Sequence, residues 1–89
     1  YLTGNGTVTG GAVVDSGKFD WSAGGKFPSL AAPEPAYHGL NFHAALGPMA
    51  FTFHAIAVGL RDLGMTMNPQ GAHYTLMGIE TLSLRMDKH

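Results

Sequence analysis

Apolar residues recur at steps of three and four from Met49 through Phe53, Ile56 and Leu60 to Leu63, the period of an α-helix. Phe51, Ala55, Ala57 and Val58 fill most of the other faces. The pattern over 43–64 therefore predicts a helix apolar nearly all round, and such a helix is a buried one. Pro48 suits a first turn, where a missing N–H costs little, while a start nearer His43 would require a kink. Arg61 and Asp62 mark an exposed end, and Gly64 is a left-handed stop.

A second helical stretch is predicted over 68–89. Asn68 reads as its N-cap and Pro69 as its first helical residue. Ala72, Leu76, Ile79, Leu82 and Met86 form its apolar stripe, and Arg85, Asp87 and Lys88 keep a polar face late. Gly78, in the middle, costs about 1 kcal/mol against alanine, so it marks a break or a tight contact.

The first fifteen residues follow a different rule. Gly4, Gly6, Gly10 and Gly11 alternate with small or β-branched residues, and Thr7-Val8-Thr9 and Ala12-Val13-Val14 are strand formers. The expectation is a glycine-rich loop and strand over 1–15, with the strand at Thr7–Asp15 and the Gly10-Gly11 pair as a bulge or close-contact point. Such a loop either sits beside a ligand or is only a turn between buried strands. Asp15-Ser16-Gly17 reads as a turn.

The segment 16–42 is a long aromatic loop. Pro28, Pro33 and Pro35 are expected to break any helix or central strand, while Phe19, Trp21, Phe27, Tyr37 and Phe42 give it the means to pack onto a neighbour. A short helical turn at Phe19–Trp21 is expected. A loop of this length inside a compact domain tends to be functional.

Composition narrows the picture. Hydrophobic residues make up 45% and charged residues only 12% of the 89 positions, against a usual charged share of about a quarter. A small domain needs a polar coat. This chain has little, so the expectation is a piece of a larger domain or an obligate oligomer. A net charge of −1 argues against nucleic acid or an anionic membrane as partner. No cysteine is present, so thiols do not indicate a compartment. Nothing in the sequence reads as a membrane span or secretory signal, and the expected location is the cytoplasm.

Most catalytic patterns fail on spacing. Gly4-x-Gly6 is followed by Gly10, one residue too far for a dinucleotide fingerprint, and then by a strand rather than a helix. The histidines at 38, 43, 54, 73 and 89 form no close helical pair and have no cysteine partners, so no metal site is predicted and His54 reads as a core or interface histidine. No nucleophile elbow occurs. Asp20 and Glu34 could act as acid and base, but nothing in the sequence places them together. The methionines read as core filler.

One constellation is more specific. Gly78-Ile79-Glu80-Thr81-Leu82-Ser83-Leu84-Arg85-Met86 has the form G-[LI]-x-T-L-x-x-R-M, and far upstream stands the run from Tyr1 to Gly11. Gly17-Lys18-Phe19-Asp20-Trp21, Gly25-Lys26-Phe27-Pro28, the run from Pro33 to Gly39, and Leu60-Arg61-Asp62-Leu63-Gly64 complete the set. In this order they resemble the cysteine and methionine metabolism family of pyridoxal-phosphate enzymes, most closely its O-acetylhomoserine sulfhydrylase branch. The resemblance covers nearly the whole chain.

That resemblance implies an α/β fold: a strand, a long loop and two helical segments from the C-terminal portion of the large cofactor-binding domain of a fold-type I transferase. It implies pyridoxal 5'-phosphate as cofactor, O-acetyl-L-homoserine with sulfide or a thiol as substrates, and a homo-oligomer as the working form. The family's Schiff-base lysine would stand immediately before Tyr1, so no catalytic residue is expected inside the chain. Lys18, Lys26 and Lys88 do not sit in that motif. Tyr1, Asn5 and Gly6 are the candidates for a place near the cofactor, although the family commonly has histidine where Asn5 stands. The segment alone is expected to be inactive. Two rivals remain: a γ-synthase or γ-lyase of the same family, acting on cystathionine or methionine, and a small non-enzymatic oligomeric module built on the 48–63 helix.

Overall fold

A computed structural model describes residues 1–89. The chain divides into two compact units, one formed by Tyr1–Val13 with Thr66–His89 and the other by Val14–Met65.

The second unit is built around a helical span, Phe42–Asp62. It starts where Asn41 caps it, the side-chain oxygen accepting the Ala44 N–H at 2.9 Å. Helix α2 runs Phe42–Leu46 and ends at Gly47, whose φ of 57° no ordinary helical residue adopts. A single 3-10 turn, Gly47–Met49, carries Pro48 and leads into α3, Ala50–His54. The kink that an early start near His43 requires is therefore present. From Ala55 to Asp62 the winding loosens to a π-helix, with the Leu63 N–H reaching back to the Val58 carbonyl. Gly64, at φ 69°, turns the chain out as expected.

The predicted burial of this helix is not found. Only Phe42 and Ala50 along it are buried, while Phe53 is 45%, Ile56 48% and Leu60 44% exposed. The wider π turn takes residues at three- and four-step spacing off a single line. Within the unit only one side is covered. The reading that nothing in the chain could span a membrane also needs correcting, because Phe42–Asp62 is long and apolar enough by length and composition. The Gly47-Pro48 kink and the polar His43, Thr52 and His54 interrupt that surface.

The covering side comes from the aromatic loop. Trp21 stacks on Phe51 with centroids 5.2 Å apart and meets Phe27 edge-on at 5.2 Å, and Phe19 packs against both Trp21 and Phe27. Leu30, in the one-turn helix α1 (Pro28–Ala31), completes a small core with Phe42 and Ala50. Pro28 and Pro35 do not act as breakers. Each occupies the opening of a short helical turn, where its absent N–H has no partner to lose. The turn expected at Phe19–Trp21 lies slightly later, as a 3-10 turn at Ala23–Gly25 after the Asp20 carboxylate accepts the Ser22 N–H. Asp15 closes the turn before it, accepting from the Gly17 N–H at 3.0 Å and from the Thr52 hydroxyl at 2.8 Å.

In the first unit, α4 runs Pro69–Ile79 and α5 Leu82–Lys88. Asn68 caps α4 by accepting the Gly71 N–H at 2.7 Å, with Pro69 at the first position. The helices break at Glu80–Thr81, two residues beyond Gly78. Gly78 itself is the tight contact: a Cβ there would collide with the Leu2 carbonyl oxygen and the Thr3 carbonyl. Gly10 is similarly pressed by the Met67 methyl group.

The expected strand at Thr7–Asp15 is not found in this segment. The structure contains helices, turns and one isolated antiparallel bridge, Glu34 to Leu40. A strand persists only when its N–H and C=O groups pair with a neighbour. The sequence supplies one strand-forming run and no partner for it.

Candidate functional site

The glycine-rich loop and the α4–α5 corner form the candidate site. Tyr1–Gly4 is a turn closed by the Gly4 N–H on the Tyr1 carbonyl at 3.2 Å, and Gly4 holds φ 81°. Asn5 follows with an Asx-type turn, its side-chain oxygen accepting from the Thr7 N–H at 3.3 Å and the Thr7 hydroxyl at 2.9 Å. A cleft of about 300 Å³ lies between this loop and the helices, bounded by Thr3, Asn5 and Thr7 on one side and Tyr74, Thr81 and Arg85 on the other. A second hollow of about 430 Å³ is lined by Tyr1, Thr3, residues 8–12, Met67 and Thr75.

The structure only partly brings the expected residues together. Asn5 lines the first cleft and Tyr1 the second, on either side of Thr3. Tyr1 is 83% exposed, with its ring edge-on to His89 at 4.9 Å. Gly6, at φ 71°, stands in open space and lines neither hollow.

The sequence places Arg85 in a motif and on a polar helix face, yet it is the cation of this site. Its Nη1 donates to the Tyr1 carbonyl, its Nη2 to the Gly78 carbonyl and its Nε to the Thr81 hydroxyl at 3.4 Å. No sequence signal identifies these partners, because two of them are backbone oxygens that carry no residue identity.

Two polar groupings lie in the second unit. The Tyr37 hydroxyl donates to Asp62 Oδ2 at 2.5 Å and accepts from Arg61 Nη2 at 2.9 Å, while Arg61 Nε donates to Asp62 Oδ1 at 3.0 Å. The Arg61 guanidinium also lies over the Tyr37 ring, 5.3 Å from its centroid. The Tyr37 hydrogen bond, helped by Arg61, holds the Asp62 carboxyl below the usual range, and the bond to Asp62 pushes the Tyr37 phenol up. Asp20 and Glu34 do not form a pair. Asp20 instead approaches His43 at 3.4 Å, and Glu34 caps its own turn at the Ala36 N–H. His54 is half-buried, edge-on to Phe42 at 4.9 Å. No group of three or more His, Asp or Glu side chains is placed to hold a metal ion.

Pyridoxal phosphate requires a lysine for its aldehyde and free donors for its phosphate. The clefts of the first unit contain no lysine, and the three guanidinium nitrogens of Arg85 are already engaged by the protein. The residues of this chain do not by themselves make a site for that cofactor.

Comparison with known proteins gives the class. The model of the Cys/Met metabolism PLP-dependent enzyme family matches residues 1–89, and the chain belongs to that family. Membership implies the fold-type I class of pyridoxal-phosphate enzyme. More particular likenesses follow. The chain is 47% identical over its whole length to homocysteine synthase of Schizosaccharomyces pombe, covering 21% of that protein. It is 46% identical to O-acetyl-L-homoserine sulfhydrylase 1 of Thermus thermophilus and 44% identical to O-acetyl-L-homoserine sulfhydrylase of Corynebacterium glutamicum, each time over the whole chain and 21% of the relative. The chain thus spans about a fifth of the length of the curated relatives it matches.

Proposed function

We propose that this chain is a segment of a pyridoxal-phosphate-dependent O-acetyl-L-homoserine sulfhydrylase, which replaces the acetate of O-acetyl-L-homoserine with sulfide or a thiol. The observation that carries the reading is the match of all 89 residues, at 46%, to a relative bearing that name. The parent is a cytoplasmic homo-oligomer. Its Schiff-base lysine stands immediately before Tyr1, and Tyr1, Asn5 and Gly6 lie near the cofactor. The exposed apolar side of Phe42–Asp62 supports the oligomer or a covering layer of the same enzyme, since an unpartnered surface of that kind marks an interaction site.

The test is an assay of the full-length protein. Homocysteine formed from O-acetyl-L-homoserine and sulfide, well above any turnover of methionine or cystathionine, is the expected result. Preferred turnover of methionine or cystathionine would reassign the protein to a γ-lyase or γ-synthase. The 89-residue segment alone, mixed with pyridoxal phosphate and reduced with borohydride, should carry no stoichiometric adduct on a single lysine. A unique adduct on Lys18, Lys26 or Lys88 would refute its inactivity.

A further inference from the structure

We propose that Arg85 is a positioning residue whose guanidinium fixes the Tyr1–Gly4 turn against Gly78, and through that turn fixes the residue preceding Tyr1. The consequence for chemistry rests on the reading that this preceding residue is the Schiff-base lysine.

The geometry has three parts. First, one rigid planar group spans three elements: the Tyr1 carbonyl in the loop, the Gly78 carbonyl near the end of α4, and the Thr81 hydroxyl at the break before α5. The Tyr1 oxygen also accepts the Gly4 N–H, so both of its lone pairs are engaged. Second, two glycines make room for the contact. A Cβ at Gly4 would stand 3.4 Å from the guanidinium, in a backbone region side chains rarely adopt, and a Cβ at Gly78 would drive into Leu2 and Thr3. Third, Arg85 is half-buried at the cleft, where a charge-assisted bond to a carbonyl is stronger than in water. A lysine at this position would still place a positive charge near the last carbonyls of α4. It could not grip two carbonyls and a hydroxyl in one plane, because its ammonium is a single point on a flexible stem. Position, rather than charge alone, is what the arginine supplies.

The experiment uses the full-length protein with cofactor bound, comparing wild type with Arg85→Lys and Arg85→Gln. Amide hydrogen exchange is followed by mass spectrometry in the peptide covering residues 1–6 and, as reference, in the peptide covering 42–62. Loss of a charge-assisted hydrogen bond at the turn should raise exchange in 1–6 at least about tenfold in both variants, with 42–62 unchanged. The absorption band of the bound cofactor should also shift or weaken in Arg85→Lys at unchanged melting temperature. Full rescue by lysine would overturn the proposal, because charge alone would then suffice. So would unchanged exchange in 1–6, or an equal rise in both peptides, which marks a merely structural role. Arg85→Lys carries the test if Arg85→Gln does not fold. Borohydride reduction and peptide mapping of the wild-type protein locate the modified lysine independently. A lysine other than the residue before Tyr1 refutes the parent reading and the proposed consequence together, whereas a correct lysine with unmoved exchange refutes Arg85 alone.

Discussion

At the scale of single residues, Gly78 and the Tyr37–Asp62 contact make the clearest predictions. Gly78→Ala should destabilise the full-length protein. Alanine gains about 1 kcal/mol of helix propensity, but its methyl group enters the space of the Leu2 and Thr3 backbone, and overpacking of that kind costs about 1–3 kcal/mol. A lower melting temperature is the expected outcome, and a higher one would mean the contact is loose. The Tyr37 clasp makes a pH prediction. Asp62 is held below its ordinary 3.8, first by the Tyr37 hydrogen bond, so its contribution is present above that value and is lost as pH falls through the lower folded value. Tyr37 is pushed above its ordinary 10.0, first by Asp62, so its contribution is present below 10.0 and is lost as pH rises through the higher folded value. The clasp therefore holds between these limits and opens beyond either. Ultraviolet titration should show one tyrosine ionising late, and that step should vanish in Tyr37→Phe. These features were unevenly legible in the sequence. Gly78 stands out because glycine at mid-helix is costly, so its position signals a contact. Tyr37 and Asp62 lie 25 residues apart and signal nothing until the loop folds back on the helix.

At the scale of elements, local chemistry was legible and partnered chemistry was not. Asn68-Pro69 and Gly64 were readable because a cap or a left-handed stop depends on a few adjacent residues. The cap gives a direct test. Asn68→Ala should cost about 1 kcal/mol while Asn68→Asp retains the stability, since aspartate also accepts the Gly71 N–H. Equal loss in both variants would show that the cap bond contributes nothing. The strand at 7–15 failed for the opposite reason, since its hydrogen bonds must come from another segment. The prolines at 28 and 35 were misread because proline ends a helix from inside and begins one from the first position, and sequence alone does not say which applies. The aromatic loop was correctly expected to pack onto a neighbour, and Trp21 is its anchor. The Trp21 Nε1–H is shielded from water without a partner. Trp21→Phe should therefore be nearly neutral, the lost ring area offset by removal of an unsatisfied donor. Trp21→Ala should cost close to the lower end of about 3–5 kcal/mol, because the side chain is only half-buried. Chemical denaturation of the full-length protein separates the two, and a large loss in Trp21→Phe would mean that the indole N–H has a partner.

At the scale of the whole molecule, the shortage of charge and the excess of exposed apolar surface describe the same fact. Buried apolar side chains are limited to Leu30, Phe42 and Ala50, while Val14, Leu63, Met65 and Leu84 are each at least 68% exposed and Phe53, Ile56 and Leu60 each at least 44%. A core of that size contributes far less than the conformational entropy lost on ordering the chain. The chain spans about a fifth of the length of the relatives it matches, and the proposed parent enzyme accounts for the imbalance by placing further layers over these residues. The 89-residue chain expressed alone should accordingly bind a dye for apolar surface, associate with itself, and melt without a sharp transition. In the full-length protein the same segment should be protected, with amide exchange along 42–62 slowed by orders of magnitude relative to the isolated chain. A cooperative, monomeric, dye-silent 89-residue chain would refute this account. It would show instead that the helices and the aromatic loop are sufficient for a module that stands alone.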